Sequence, residues 1–145
     1  EPIGVIGIAC PNEAPLLSFV SLVAPAIALG NRVVALPSQD HPLAATDMYQ
    51  VFETSDLPGG VVNVVSGDQD ALTKTMTEHA GVDAMWHFGS EAGAKEVEQA
   101  SIINLKRTWV SGGKARNWFD EIQGEGTEFL RHASQVKNIW VPYGE

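Results

Sequence analysis

The chain has 145 residues, of which 44% are hydrophobic and 19% charged. That is one domain's worth, enough to enclose a single core, and it excludes a disordered or fibrous chain. Nine basic against eighteen acidic side chains give a net charge of −9, which argues against a general nucleic-acid surface because phosphate contacts need a basic stripe. The charge is uneven: residues 1–104 carry three basic and thirteen acidic side chains, residues 105–145 six and five. The lone cysteine, Cys10, excludes an internal disulfide framework, and His41, His79, His87 and His132 lack metal-ligand spacing. No basic leader precedes the first strand, so the expected compartment is the cytoplasm. The start, Glu1-Pro2-Ile3, runs straight into a strand and reads as a piece of a longer protein.

Ile3 to Ala9 is a continuous apolar run, as in strands covered on both faces. Residues 15–29 follow as a helix that is apolar on nearly every side, with Gly30 as its left-handed stop. Residues 14–31 carry no charge, but Pro25, Ser18 and Ser21 interrupt them, so a buried helix is expected and not a membrane span. Arg32–Leu36 predicts a second strand, 42–54 a helix, Val61–Val65 a third strand and 69–79 a helix. Val82–Phe88 predicts a fourth strand, 91–103 a helix and Leu105–Val110 a fifth strand closed by Gly112-Gly113. Regular alternation implies βαβ units, hence a Rossmann-like, doubly wound, mostly parallel five-stranded sheet. After Gly113 the rhythm fails. Residues 115–123 are ambiguous, Thr127 is placed to cap a helix over 128–134, and Lys137–Val141 reads as a last strand. The expected organisation is therefore a domain over residues 1–114 and a tail over 115–145.

Ligands of open α/β sheets sit beyond the carboxyl ends of the strands. Those ends carry Cys10-Pro11-Asn12-Glu13, Pro37-Ser38-Gln39, Gly67-Asp68-Gln69, Gly89-Ser90-Glu91 and Gly112-Gly113-Lys114. The G-x-G-x-x-G fingerprint is absent.

Several motifs say more. Glu1-Pro2-Ile3-Gly4-Val5, Leu29-Gly30-Asn31-Arg32-Val33-Val34, Pro37-Ser38 with Pro42-Leu43, and Leu57-Pro58-Gly59-Gly60 running on to Gly67 occur in order. Val82-Asp83, Phe88-Gly89-Ser90 and Gly112-Gly113-Lys114 follow. Together they resemble the coenzyme domain of the aldehyde dehydrogenase superfamily across residues 1–114. Phe129 to Val141 is similar to that family's carboxyl-terminal oligomerisation strand. A catalytic domain of about 200 residues would separate the two parts in a complete member. Its absence looks most like the truncated, noncatalytic second module of the two-module sixteenth family.

The resemblance implies a cysteine nucleophile, an oxyanion-hole amide, a glutamate base and a nicotinamide coenzyme. The nucleophile belongs to the missing domain. Glu13 stands where the oxyanion amide belongs, with Asn12 one position away. Val110 stands where the base belongs, and such a base contributes about 10²–10⁴-fold. Leu36 and Gln39 replace the lysine and glutamate that hold the adenosine ribose, and Gln69 replaces a glycine beside the adenine. Losing two polar contacts at about 1–3 kcal/mol each weakens a micromolar ligand to about millimolar.

Gly89 and Ser90 survive, either as a vestigial pyrophosphate site or as a plain turn and helix cap. Lys106, Arg107, Lys114 and Arg116 form a basic run whose alternatives are a solvated or salt-bridging face and a phosphate site. The expectation is no cofactor for this chain and NAD(P) for the parent protein. Val136, Ile139, Trp140 and Val141 are the expected interface, adding to a sheet of a catalytic aldehyde dehydrogenase module in the same protein or a neighbouring subunit of a homo-oligomer. The alternatives are a vestigial or regulatory nucleotide-binding module, and an enzyme built on Cys10 or on Glu13 with His87.

Overall fold

The computed structural model describes residues 1–144. In chain order the elements are β1 (Val5–Ala9), α1 (Pro15–Ala28), β2 (Arg32–Leu36), α2 (Leu43–Thr46), α3 (Met48–Glu53) and β3 (Val62–Val64). Then come α4 (Gln69–Glu78), β4 (Ala84–His87), α5 (Glu91–Ser101), β5 (Arg107–Val110), α6 (Glu121–Glu125) and α7 (Thr127–His132). The strands form one sheet in the order β3-β2-β1-β4-β5, every pair parallel. This is the doubly wound architecture expected from the alternation.

Period-two alternation sorts the strand side chains onto two faces. Ile6, Ile8, Val33, Ala35, Trp86 and Trp109 belong to a large core with Phe19, Leu22 and Val23 of α1. Ala9, Leu36 and Met85 meet Met76 of α4 and Val97 of α5 in a smaller one. Both faces are covered, so the strands read as unbroken apolar runs. Helix α1 ends in a Schellman motif: Gly30, at φ 86°, donates to Ile27 O and Asn31 N donates to Ala26 O. No helix among the described residues is long and apolar enough to cross a membrane.

Residues 115–135 return to the body. Trp118, Phe129 and Ala133 join the larger core. Arg116 binds this segment in place: its guanidinium lies 5.2–5.8 Å from the ring centroids of Phe88, Trp109, Trp118 and Phe129. It also pairs with Glu128 at 2.6 Å and donates to Gln123 O at 2.7 Å. The His132 ring stacks on Trp109, 4.1 Å between centroids.

Three expectations need correction. The 42–54 helix is interrupted at Asp47, giving α2 and α3. Thr127 opens α7 and does not cap it; Gly126 is the cap position and α7 stops at His132. Residues 137–141 form no strand, because a strand needs a ladder partner and this segment has none among the described residues. The last pairing is the single bridge between Pro2 and Ser134.

Asn31 joins four backbone groups. Its Oδ1 accepts from Ile3 N (2.7 Å) and Gly4 N (3.1 Å), and its Nδ2 donates to Ala26 O (2.9 Å) and Ala133 O (2.8 Å). It is 1% exposed. Asn31→Ala removes the side-chain partner of Ile3 N, Gly4 N and Ala133 O, while Ala26 O keeps the backbone N–H of residue 31, and is expected to cost about 3 kcal/mol, read as a lower urea midpoint. An unchanged midpoint would refute this role.

Candidate functional site

In the order β3-β2-β1-β4-β5 the winding reverses beside β1, so the crevice lies outside the carboxyl ends of β1 and β4. A cleft of about 380 Å³ occurs there, lined by Asn12, Glu13, His87, Gly89, Ser90 and Lys114 among others. A second cleft of about 300 Å³ lies beyond β2 and β3, lined by Leu36, Ser38, Gln39, Val65, Gly67 and Gln69 among others. The sheet thus brings Glu13, Gly89 and Ser90 to one place and Leu36, Gln39 and Gln69 to the next.

The loops bond mainly to one another. Asn12 Oδ1 accepts from Ser38 Oγ (2.9 Å), Gln39 N (3.0 Å) and Asp40 N (3.4 Å). Its oxygen is therefore committed to the β2 loop. Gln69 Nε2 donates to Cys10 O (2.7 Å) and Pro37 O (3.2 Å), and Gln69 N donates to Gln39 Oε1 (2.9 Å). One side chain thus links the loops after β1 and β2 to the start of α4.

Ser90 caps α5, its Oγ accepting from Gly93 N at 3.1 Å. The glycines here have a local cause. A Cβ on Gly93 would fall 2.6 Å from His87 Nε2, and one on Gly89 2.9 Å from His87 Cε1. The His87 imidazole, 3% exposed, occupies the room they leave. Burial holds its pKa below the ordinary histidine range, with Asp70 and then Glu96 partly opposing. His87 was not singled out as a wedge in the sequence; the only signal was a histidine two residues before Gly89.

Other groups are unavailable for chemistry. Val110, where the resemblance places a base, is half-buried against the smaller core. Leu36, where the resemblance places a lysine, is 2% exposed. Cys10 is fully buried, and desolvation pushes its thiol up to about 12. A thiolate nucleophile is therefore disfavoured. The basic run is not one face. Lys106 Nζ donates to His79 O and Val82 O, Arg107 Nη1 donates to Ser134 O, and Arg116 sits among the rings, lining the cleft together with Lys114. Val136, Ile139, Trp140 and Val141 lie apart from the crevice and are 89%, 75%, 92% and 73% exposed.

The arrangement defines a doubly wound α/β domain of the dinucleotide-binding architecture. Comparison with known proteins is more specific. The model of the aldehyde dehydrogenase family matches residues 1–120, and the chain belongs to that family. An NADP/NAD-dependent aldehyde dehydrogenase of Escherichia coli is 36% identical over 119 residues, covering 81% of this chain and 24% of that protein. Retinal dehydrogenase 2 of Gallus gallus is 39% identical over 119 residues, covering 81% and 23%. Aldehyde dehydrogenase C of Pseudomonas syringae, solved with NAD⁺ and octanal, superposes with a TM-score of 0.73 at 36% identity, covering 76% of this chain and 23% of that one. The chain spans about a quarter of the length of these relatives.

At the positions the resemblance assigns to the coenzyme, Leu36 is buried, Gln39 Oε1 accepts from Gln69 N, and the His87 ring fills the room left by Gly89 and Gly93.

Two outcomes follow. Cys10 is expected to resist a thiol reagent in the native chain and to react only as fast as global unfolding; stoichiometric labelling within minutes would contradict its burial. For pH, burial depresses both His87 and His132, with Glu128 opposing and Arg131, Arg107 and Arg116 reinforcing the effect at His132. Protonation therefore favours the unfolded chain. Stability from these groups is complete above about pH 6.5 and is lost as pH falls through their lower folded values. The urea midpoint should drop between pH 7.5 and 5.5, and His132→Phe should reduce the drop.

Proposed function

We propose that this chain is a noncatalytic module of an aldehyde dehydrogenase family protein and that it serves assembly, not turnover. The parent would be an NAD(P)-dependent oxidoreductase converting aldehydes to carboxylic acids in the cytoplasm. This module resembles the shortened second repeat of the two-module sixteenth family. The observation that carries the reading is the half-buried Val110, packed against an apolar core at the position of a proton acceptor. Glu13 in the amide's position acts in the same direction, since a carboxylate repels a developing oxyanion. Asn12 is anchored through its Oδ1 to the β2 loop, one position away from the amide's place.

The tail motivates the assembly role. Its root is held by Gln135 N donating to Glu1 O (3.0 Å) and Gln135 Nε2 donating to Pro2 O (3.2 Å). Past that anchor, Val136, Ile139, Trp140 and Val141 face solvent. Apolar and aromatic side chains on an unpaired segment suit strand addition to another sheet. The partner would be the catalytic module of the same protein or of a neighbouring subunit in a homo-oligomer. Deleting residues 136–145 from the parent is expected to shift its mass in light scattering to a smaller oligomer. An unchanged oligomer would overturn the assembly role.

A vestigial or regulatory nucleotide site is the second reading. Its support is the 380 Å³ cleft at the α5 N-terminus with Ser90 and Lys114 on its walls. Calorimetric titration with NAD and NADP separates the two: the assembly reading expects no heat of binding below about 1 mM.

A further inference from the structure

A dinucleotide laid across a doubly wound sheet needs one continuous trough, from the loop after β2, past the switch point, to the N-terminus of the helix after β4. Here that edge holds two clefts, one bounded by Leu36, Ser38, Gln39 and Gly67, the other by Asn12, Glu13, His87 and Ser90. Gln69 is the one residue that lines both. Its side chain is fixed there by two carbonyls from different loops, Cys10 O and Pro37 O, and its backbone N–H is taken by Gln39 Oε1.

We propose that Gln69 is a partition: its carboxamide divides the carboxyl edge of the sheet into two separate compartments, excludes an intact dinucleotide, and ties together the loops that a bound dinucleotide would bridge. The three hydrogen bonds join the β1, β2 and β3 ends. The crevice thereby becomes a structural joint, and each compartment by itself is mononucleotide-sized at most. This deepens the noncatalytic reading but is independent of the tail, so its failure and the failure of the assembly role are separate results.

The test uses the 145-residue chain. Leu36→Lys with Gln39→Glu supplies the ribose contacts that the family resemblance implies, while Gln69 remains. A triple variant adds Gln69→Gly, and a second triple carries Gln69→Ala so that the first turn of α4 is kept. Gln69→Ala alone, which leaves Leu36 in its core, repeats the comparison with the unaltered chain if the lysine prevents folding. Circular dichroism establishes folding, and calorimetry reads binding of NAD and, separately, of AMP.

With Gln69 present, neither the unaltered chain nor the double variant should bind NAD more tightly than about 1 mM. Removing Gln69 should improve NAD affinity at least tenfold. AMP, which needs one compartment only, should bind the double and triple variants alike. Without ligand, the triple variants should melt about 3 °C or more below the double variant, and NAD should restore part of that loss. The proposal is overturned if the unaltered chain or the double variant binds NAD as tightly as the triples. It is equally overturned if a folded triple fails to bind NAD, or if AMP affinity rises in step with that of NAD.

Discussion

Loops at the carboxyl edge of a parallel sheet carry polar groups that must find partners, and the identity of those partners decides what the edge can do. In this chain they are largely other loops. The Gln69 carboxamide holds the carbonyls of Cys10 and Pro37, and Asn12 holds Ser38, Gln39 and Asp40. The Ser90 hydroxyl holds the first turn of α5, and the His87 ring fills the room left by Gly89 and Gly93. A site built for chemistry leaves donors aimed at the place where charge develops. Here the Gln69 amide is turned onto the neighbouring loops, and the acid at Glu13 stands on the wall of the remaining cleft.

The same self-sufficiency appears on the face of the sheet. Parallel strands need apolar cover on both sides. Over β4 and β5 that cover includes Trp118, Phe129 and Ala133 from the segment after Gly113. Arg116 sits among four aromatic rings, with Glu128 compensating its charge. The cation's attraction to the ring faces and the bidentate reach to Gln123 and Glu128 hold a short, irregular segment against the body.

Much of this was legible in the residues. Apolar runs such as Ile3–Ala9 and Val82–Phe88 announced doubly covered strands, and their alternation with helices announced a parallel sheet. The ordered motifs from Glu1 to Lys114 identified the family. What stayed hidden has physical reasons. Whether Lys137–Val141 pairs as a strand depends on a partner that no local pattern encodes. The Arg116 cage gathers Phe88, Trp109, Trp118 and Phe129, residues brought together only by the turn-back of the chain. Gln69 read as the loss of a glycine, a subtraction; its role in linking three loops needed coordinates. His87 is similar, since adjacency to Gly89 says nothing about where the ring points.

The central proposal is that the loops at this edge are tied to one another and that the chain serves assembly and not aldehyde oxidation. Its most direct test is the absorbance of reduced nicotinamide at high concentrations of the purified chain, NAD or NADP, and acetaldehyde. The account predicts a trace no steeper than the protein-free control. Sustained, enzyme-dependent reduction by this chain alone would contradict it.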